Sequence, residues 1–252
     1  TPYYRAPHLF VGFPMRYTEG DWRETVFDLP GVEERMARAK AHPRYGTAVT
    51  DCVFMASRDG LTFKRWPEAF IRPGPQQVGS WVYGDNMIAW GMVQTPSAVE
   101  YAPPELSFYG VDHYWEGTAV AFRRFTLRLD GFVSVAAPQA GGEVVTPPLV
   151  FEGGNLALNL ETSGAGGVQV EIQDAAGHAL PGYTLDDCPA IRGDTVQHVV
   201  RWTGVGGDVR PLAGRPVRLR FVLRDADLYA FQFVPYAPEP QRPAIPQPTP
   251  AQ

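Results

Sequence analysis

Apolar and polar side chains alternate along most of this 252-residue chain, the pattern of β-strands with one buried face. One such run, residues 53–63, is interrupted by Asp59-Gly60. Asp-Gly is a preferred pair for a tight hairpin, because both turn positions need a positive φ. The same arrangement returns at Asp130-Gly131, between apolar positions within 125–129 and 132–135. The pattern predicts two β-hairpins in a weak internal repeat, as in successive blades of a β-propeller.

Two segments between these hairpins, residues 81–90 and 106–114, also have strand-like patterns. The segment that favours a helix is Pro30 to Ala41, where two glutamates near the N-terminus suit the helix dipole. Its apolar residues are predicted to share one face: Val32, Met36 and Ala39. We expect this helix to be an insertion in a blade.

The pattern changes after residue 136. From 137 to 234, alternating apolar segments are separated by Gly-rich turns, which is typical of an antiparallel β-sandwich. Four of its predicted strands are centred on 156–160, 168–172, 217–223 and 229–233. Residues 235–252 are rich in proline, which lacks a backbone donor and has a fixed φ, so we expect a linker or a disordered end there. The predicted class is all-β: a partial propeller of about two blades over residues 1–136, then a sandwich over 137–234.

Charge and composition exclude two classes of partner. The net charge is −5 and the pI about 5.5, so the chain lacks the basic surface that binds phosphate backbones, and we expect no nucleic-acid partner. No stretch approaches about 18 consecutive apolar residues, so we expect no membrane-spanning helix. Cys52 and Cys188 fall in different predicted domains and are expected to be separate thiols. The histidines show no close metal-ligand spacing, so we predict neither a metal site nor a cofactor.

Several segments together resemble the five-bladed propeller glycoside hydrolases related to families 32 and 43, including uncharacterised family-32-like bacterial proteins. The hairpin segment Phe54-Met55-Ala56-Ser57-Arg58-Asp59-Gly60-Leu61-Thr62-Phe63 is similar to the Ser-Arg-Asp-Gly-x-x-(Trp/Phe) hairpin of that group. Residues 79–91 fit the same group, and 123–134 resemble its crossing from the last blade to the sandwich. Three sandwich segments also resemble it: 170–174, 181–183 and 219–229.

The resemblance implies a carbohydrate partner and the hydrolysis of glycosidic bonds by a pair of carboxylates. A propeller blade has four strands in roughly 40–50 residues, so we expect upstream blades, or a second copy in an oligomer, to complete the ring. The family's Trp-Met-Asn-Asp-Pro-like, Arg-Asp-Pro-like and Glu-Cys-Pro-like motifs do not occur in this sequence. Part of the carboxylate pair is therefore expected from the upstream blades. The resemblance is compatible with a structural calcium ion and an extracytoplasmic location.

The candidate site residues lie where predicted strands begin or end. Asp51 precedes an apolar run and Asp112 follows a strand, and these two are the candidate catalytic carboxylates. Arg16 follows an apolar strand and suits bidentate binding of a carboxylate or an anionic sugar. The other predicted substrate contacts are polar or aromatic: Trp81, Asp85, Asn86, His113 and Tyr114.

Each candidate also has an ordinary structural interpretation. Asp85 and Asn86 suit the capping of a turn, Trp81 suits core packing, and Arg16 suits a surface position. A second function is likewise open, that of a non-catalytic carbohydrate-binding or assembly module. Two open blades would expose sheet edges, which favour pairing with another chain.

Overall fold

The structure is a computed structural model that describes residues 1–74, 86–113 and 120–238. The chain divides into Thr1–Leu129 and Asp130–Gln252, which we call unit 1 and unit 2. Both consist mainly of antiparallel strands, so the predicted all-β class is confirmed. The propeller arrangement of the strands in unit 1 stays a prediction. Within the described ranges, no helix is long and apolar enough to cross a membrane.

The first sheet of unit 1 is built around one central strand. Its strands are β1 (Pro2–Tyr3), β2 (Ala6–Gly12), β3 (Met15–Thr18), β4 (Val49–Ser57) and β5 (Lys64–Ile71). β2 and β3 pair with consecutive parts of one edge of β4, β5 pairs with β4 as well, and β1 extends the sheet beyond β2. Because β4 has neighbours along its length, most of its side chains are buried or half-buried.

The hairpin predicted around Asp59-Gly60 forms, but its turn is wider than a two-residue turn. β4 ends at Ser57 and β5 begins at Lys64. Asp59 Oδ1 accepts the backbone N–H groups of Leu61 and Thr62, at 2.9 and 2.7 Å, so its side chain replaces a strand partner for them. Gly60 has φ +73°, and Leu61, predicted to lie in the returning strand, is an exposed loop residue.

The second sheet of unit 1 has the order β6 (Val93–Thr95), β7 (Glu105–Asp112) and β8 (Ala121–Arg128). β7 confirms the strand predicted for 106–114 over residues 106–112. The prediction of a second Asp-Gly hairpin is wrong: the following strand, β9 (Val135–Ala137), pairs with β13 (Val217–Val234) and not with β8. The strand predicted over 132–135 overlaps β9 only at Val135, and its partner is distant in the sequence.

Aromatic rings form the core between the two sheets of unit 1. Phe13 lies between β2 and β3, and its ring centroid is 5.1 Å from Phe70 on β5 and 5.1 Å from Phe108 on β7. Phe54 on β4 packs against both Phe13 and Phe70. These contacts join the first sheet to the second.

The predicted helix forms as α1 (Val32–Ala39), but it does not bury its apolar face. Met36 is half exposed, whereas Arg35 is only 6% exposed. Arg35 Nη1 donates a 2.8 Å hydrogen bond to the carbonyl of Gly46, which lies in the 3₁₀ turn Pro43–Gly46. Burial and the neighbouring charge of Arg38 lower the pKa of Arg35.

Unit 2 contains β9, β10 (Gly142–Val145), β11 (Asn155–Asp174), β12 (Asp194–Val199) and β13 (Val217–Val234) in one sheet. The four predicted strands are the halves of two long strands, β11 and β13. These two pair from Asn155 opposite Val234 to Asp174 opposite Val217. The register shifts between Thr162 and Gly167. Asp225, with φ +42°, lies in β13 close to this irregularity.

The core of unit 2 draws on both halves of these long strands. Leu156, Leu158 and Leu160 are fully buried in the same cluster as Val168, Val170 and Ile172. A straight strand of 20 residues would span about 65 Å, so the two halves meet in one cluster only because the sheet bends. One curled sheet therefore encloses the core that two layers of a sandwich would enclose.

The described part of the Pro-rich tail is attached to unit 2. Asn155 Oδ1 accepts the N–H of Ala237 at 2.7 Å, and Asn155 Nδ2 donates to the carbonyl of Gly207 at 2.6 Å. The guanidinium of Arg210 lies 3.8 Å from the ring centroid of Tyr236. Residues 235–238 thus differ from the predicted disordered end, and 239–252 lie outside the described residues.

Candidate functional site

Arg16 and Asp51 form a fork-to-fork ion pair across β3 and β4. The two residues are direct partners in the strand register, so their side chains leave the sheet on the same face. Arg16 Nε donates to Asp51 Oδ1 at 3.0 Å, and Nη2 donates to Oδ2 at 2.5 Å. The third nitrogen, Nη1, donates to the carbonyl of Pro67 at 2.6 Å. The side chains are 34% and 15% exposed, so the pair lies at the boundary between core and solvent.

This pairing is one of the two functions suggested for Arg16, the orientation of a carboxylate. The hydrogen bond to Asp51 raises the pKa of Arg16, and the negative charge of Asp51 adds to this effect. Each oxygen of Asp51 accepts one hydrogen bond from Arg16, which fixes the orientation of the carboxylate. A carboxylate in this arrangement suits a nucleophile or a fixed negative charge better than a proton donor.

Asn86 connects the second sheet to the start of β4. Its backbone has φ +70°, and its N–H donates to the carbonyl of Val111 at 3.3 Å. Its Nδ2 donates to the carbonyl of Thr50 at 3.2 Å, directly before Asp51 in the chain. The residue is 8% exposed. Asn86 is therefore a bridge between the end of β7 and the residue before Asp51, and its side-chain bond runs to the other sheet.

Asp112 is the last residue of β7, where it pairs in register with Ala121, and His113 follows directly. His113 has φ +57°, an uncommon backbone conformation that Asn and His adopt more readily than most residues. A residue held in such a conformation at a strand end is a feature often found at binding and catalytic sites. The sequence did not reveal this conformation, because it depends on the chain direction after β7.

The structure thus brings together part of the predicted set. Arg16 and Asp51 are in direct contact, Asn86 contacts the residue before Asp51, and His113 follows the strand to which Asn86 is bonded. We call Arg16, Asp51, Asn86 and His113 the Asp51 cluster. Three other predicted residues lie outside the described residues: Trp81, Asp85 and Tyr114.

Sequence reasoning missed the backbone groups that hold this cluster. The carbonyls of Pro67 and Thr50 receive hydrogen bonds from Arg16 and Asn86, and a carbonyl position has no sequence signal of its own. The position of Pro67 is a sequence signal, and it lies within β5 where the pairing with β4 shifts register. Proline within a strand often marks an edge or a bulge, where a carbonyl turns toward a side chain.

Neither a metal site nor a reactive thiol is found in the described parts of the chain. No group of three or more His, Cys, Asp or Glu residues there is arranged to hold a metal ion. Cys52 and Cys188 are both free and buried, as expected for separate thiols. Burial raises the pKa of Cys52 to about 12, and the nearby charge of Asp51 contributes. Such a thiol is a poor nucleophile.

Comparison with known proteins adds no assignment to this geometry. No protein-family model, no curated protein and no solved structure matches the chain.

Proposed function

We propose that the chain is a carbohydrate-active protein of the glycoside hydrolase kind, and that the Asp51 cluster binds the sugar. The observation that carries the proposal is the double hydrogen bonding of Asn86, to Thr50 on β4 and to Val111 on β7. These two bonds hold Asn86 between the residue before Asp51 on one sheet and the end of β7, two residues before His113, on the other. Sugar hydroxyls are recognised by a few such polar groups placed convergently.

Each residue of the cluster has a distinct role in this proposal. Arg16 holds the Asp51 carboxylate in one orientation through two parallel hydrogen bonds. Asp51 supplies the negative charge that stabilises a positively charged sugar transition state, or it is the nucleophile that attacks the anomeric carbon of the sugar. Asp112, or a carboxylate of a further blade, would supply the proton donor that every such hydrolysis requires.

The proposal can be tested with the purified chain and a panel of soluble polysaccharides. Binding would be measured by affinity electrophoresis, and hydrolysis by the release of reducing ends. We expect Asp51→Asn to weaken binding or hydrolysis at least tenfold. The circular dichroism spectrum of this variant should remain that of a folded chain. Asp21→Asn is the matched control, because Asp21 is 81% exposed and its nearest Arg23 nitrogen is 3.6 Å away. Equal activity in both variants would contradict the proposal.

A non-catalytic binding module is the second candidate. It is favoured by the occupation of both Asp51 oxygens by Arg16, since a fixed carboxylate also suits the recognition of hydroxyl groups. The same panel separates the two functions. Binding that depends on Asp51 without the release of reducing ends would support the module, whereas release that depends on Asp51 would support the enzyme.

A further inference from the structure

Trp90 is almost completely exposed in unit 1. The residue is 92% exposed, although folding usually buries most of a tryptophan. Gly91, directly after it, has φ +100°, a conformation that a residue with a β-carbon rarely adopts. The chain thus turns at Gly91 and leaves the indole in solvent.

Trp90 is carried by the same segment as Asn86. Val111 N–H donates to the carbonyl of Met87, and Ala89 N–H donates to the carbonyl of Tyr109, so the segment is bonded along the edge of β7 up to the residue before Trp90. The bridge between Ile88 and Gly110 lies between these bonds. Four residues in an extended segment span about 13 Å, so Trp90 lies beyond the length of a single sugar ring from Asn86.

We propose that Trp90 is an outer sugar subsite, on which a ring of an oligosaccharide stacks while another ring occupies the Asp51 cluster. This inference rests on the proposed function. The flat indole presents an apolar face, and the axial C–H groups of a pyranose present a complementary one. Because Ala89 is hydrogen-bonded to β7, the ring is attached to an anchored segment. Burial of an indole face against a sugar is worth on the order of a tenfold change in affinity.

The subsite makes a prediction about ligand length. The inner cluster alone would contact a monosaccharide, so the loss of Trp90 should not affect monosaccharide binding. A longer oligosaccharide reaches Trp90 and should lose affinity when the ring is removed. The ligand expected here is therefore an oligosaccharide or the end of a polysaccharide.

The test compares Trp90→Ala with Tyr101→Ala by calorimetry on xylo- and malto-oligosaccharides, whose rings are pyranoses, from the monosaccharide to the hexasaccharide. Tyr101 is 96% exposed and aromatic, but lies in the loop between β6 and β7. We expect Trp90→Ala to lower the affinity for the longer members roughly tenfold and to leave the shortest bound ligand unchanged, with Tyr101→Ala like the wild type.

The outcomes separate this inference from the proposed function. If Trp90→Ala binds oligosaccharides of every length with the same affinity as the wild-type chain, the subsite proposal is wrong. The proposal for the Asp51 cluster would still stand. An equal loss in Tyr101→Ala would also overturn the subsite, since it would indicate unspecific aromatic adsorption. If the wild-type chain binds none of the probes, both proposals fail.

Discussion

A β-carbon on Gly110 would lie 2.8 Å from Cε2 of Phe125, the ring on the neighbouring strand β8. The same β-carbon would be 3.1 Å from the carbonyl of Met87, in the segment that carries Asn86. Gly110 therefore permits the close approach of that segment to β7, and through it the placement of Asn86 beside Thr50.

Gly110→Ala should consequently impair the Asp51 cluster as well as the fold. We expect a destabilisation of about 1–3 kcal/mol, because the Phe125 ring or the segment must move. The change is measured by urea unfolding and by sugar binding. Gly164→Ala is the control, since a β-carbon there meets nothing within 4 Å, and it should be close to neutral. Similar stabilities of the two variants would contradict the assigned role of Gly110.

The Arg16–Asp51 pair should depend on the shape of the guanidinium and not only on its charge. Arg16→Lys retains a positive charge but cannot form two parallel bonds to the carboxylate and a third to Pro67. We expect a lower melting temperature and weaker sugar binding. Arg23→Lys tests an exposed pair, with Arg23 and Asp21 77% and 81% exposed, and should leave both properties unchanged. Equivalent results for both lysine variants would show that the fork geometry is unimportant.

Cys52 should make the protein less stable in strongly alkaline solution. Its pKa is about 12 in the folded chain and close to 9 in an unfolded one, so the folded state keeps a proton that the unfolded state loses. The resulting stability is complete below pH 9 and is lost as the pH rises toward 12. Urea unfolding at pH 8 and pH 10 measures the loss. Cys52→Ala should show a smaller decrease between the two pH values, and an identical decrease would contradict the assignment.

Asn155 should be among the more sensitive polar positions of unit 2. It is fully buried and bonds both Gly207 and Ala237. Asn155→Ala leaves the buried carbonyl of Gly207 without this partner, which typically costs about 1–3 kcal/mol, and it releases the exposed N–H of Ala237 to water. Chemical unfolding measures the cost, with the exposed amide variant Gln197→Ala as control. We also expect the tail residues 235–238 to become more susceptible to proteolysis in Asn155→Ala. A general loss of stability in unit 2 would not increase cleavage at these residues in particular.

The extent of prediction from sequence differs between local and distant features. Alternation identified β4, β7, β11 and β13, because one buried face imposes a period of two. It did not show that 155–174 forms one strand, since the register shift near Thr162 depends on pairing with β13. It also assigned the wrong partner to Val135–Ala137, because hairpin signals describe only neighbouring segments.

The candidate site shows the same division. The sequence indicated Arg16, Asp51, Asn86 and His113 from polar residues at strand ends. Their association depends on the register of β3 with β4 and on the backbone conformations of Asn86 and His113, which no local pattern specifies. The sequence identified the helix α1, but it did not show that Arg35, which donates to the Gly46 carbonyl, is buried whereas Met36 is half exposed.

The long pairing of β11 with β13 has a consequence for how unit 2 is made. Its first residue pair, Asn155 with Val234, joins positions 79 residues apart in the sequence (234 − 155). Such non-local contacts form slowly, since a large loop must close before the pairing contributes stability. On the ribosome, β11 would emerge well before β13 and would have no partner along most of its length. We therefore expect unit 2 to fold in one cooperative step after its last strand has left the ribosomal tunnel, and its nascent apolar strand to need protection from aggregation until then.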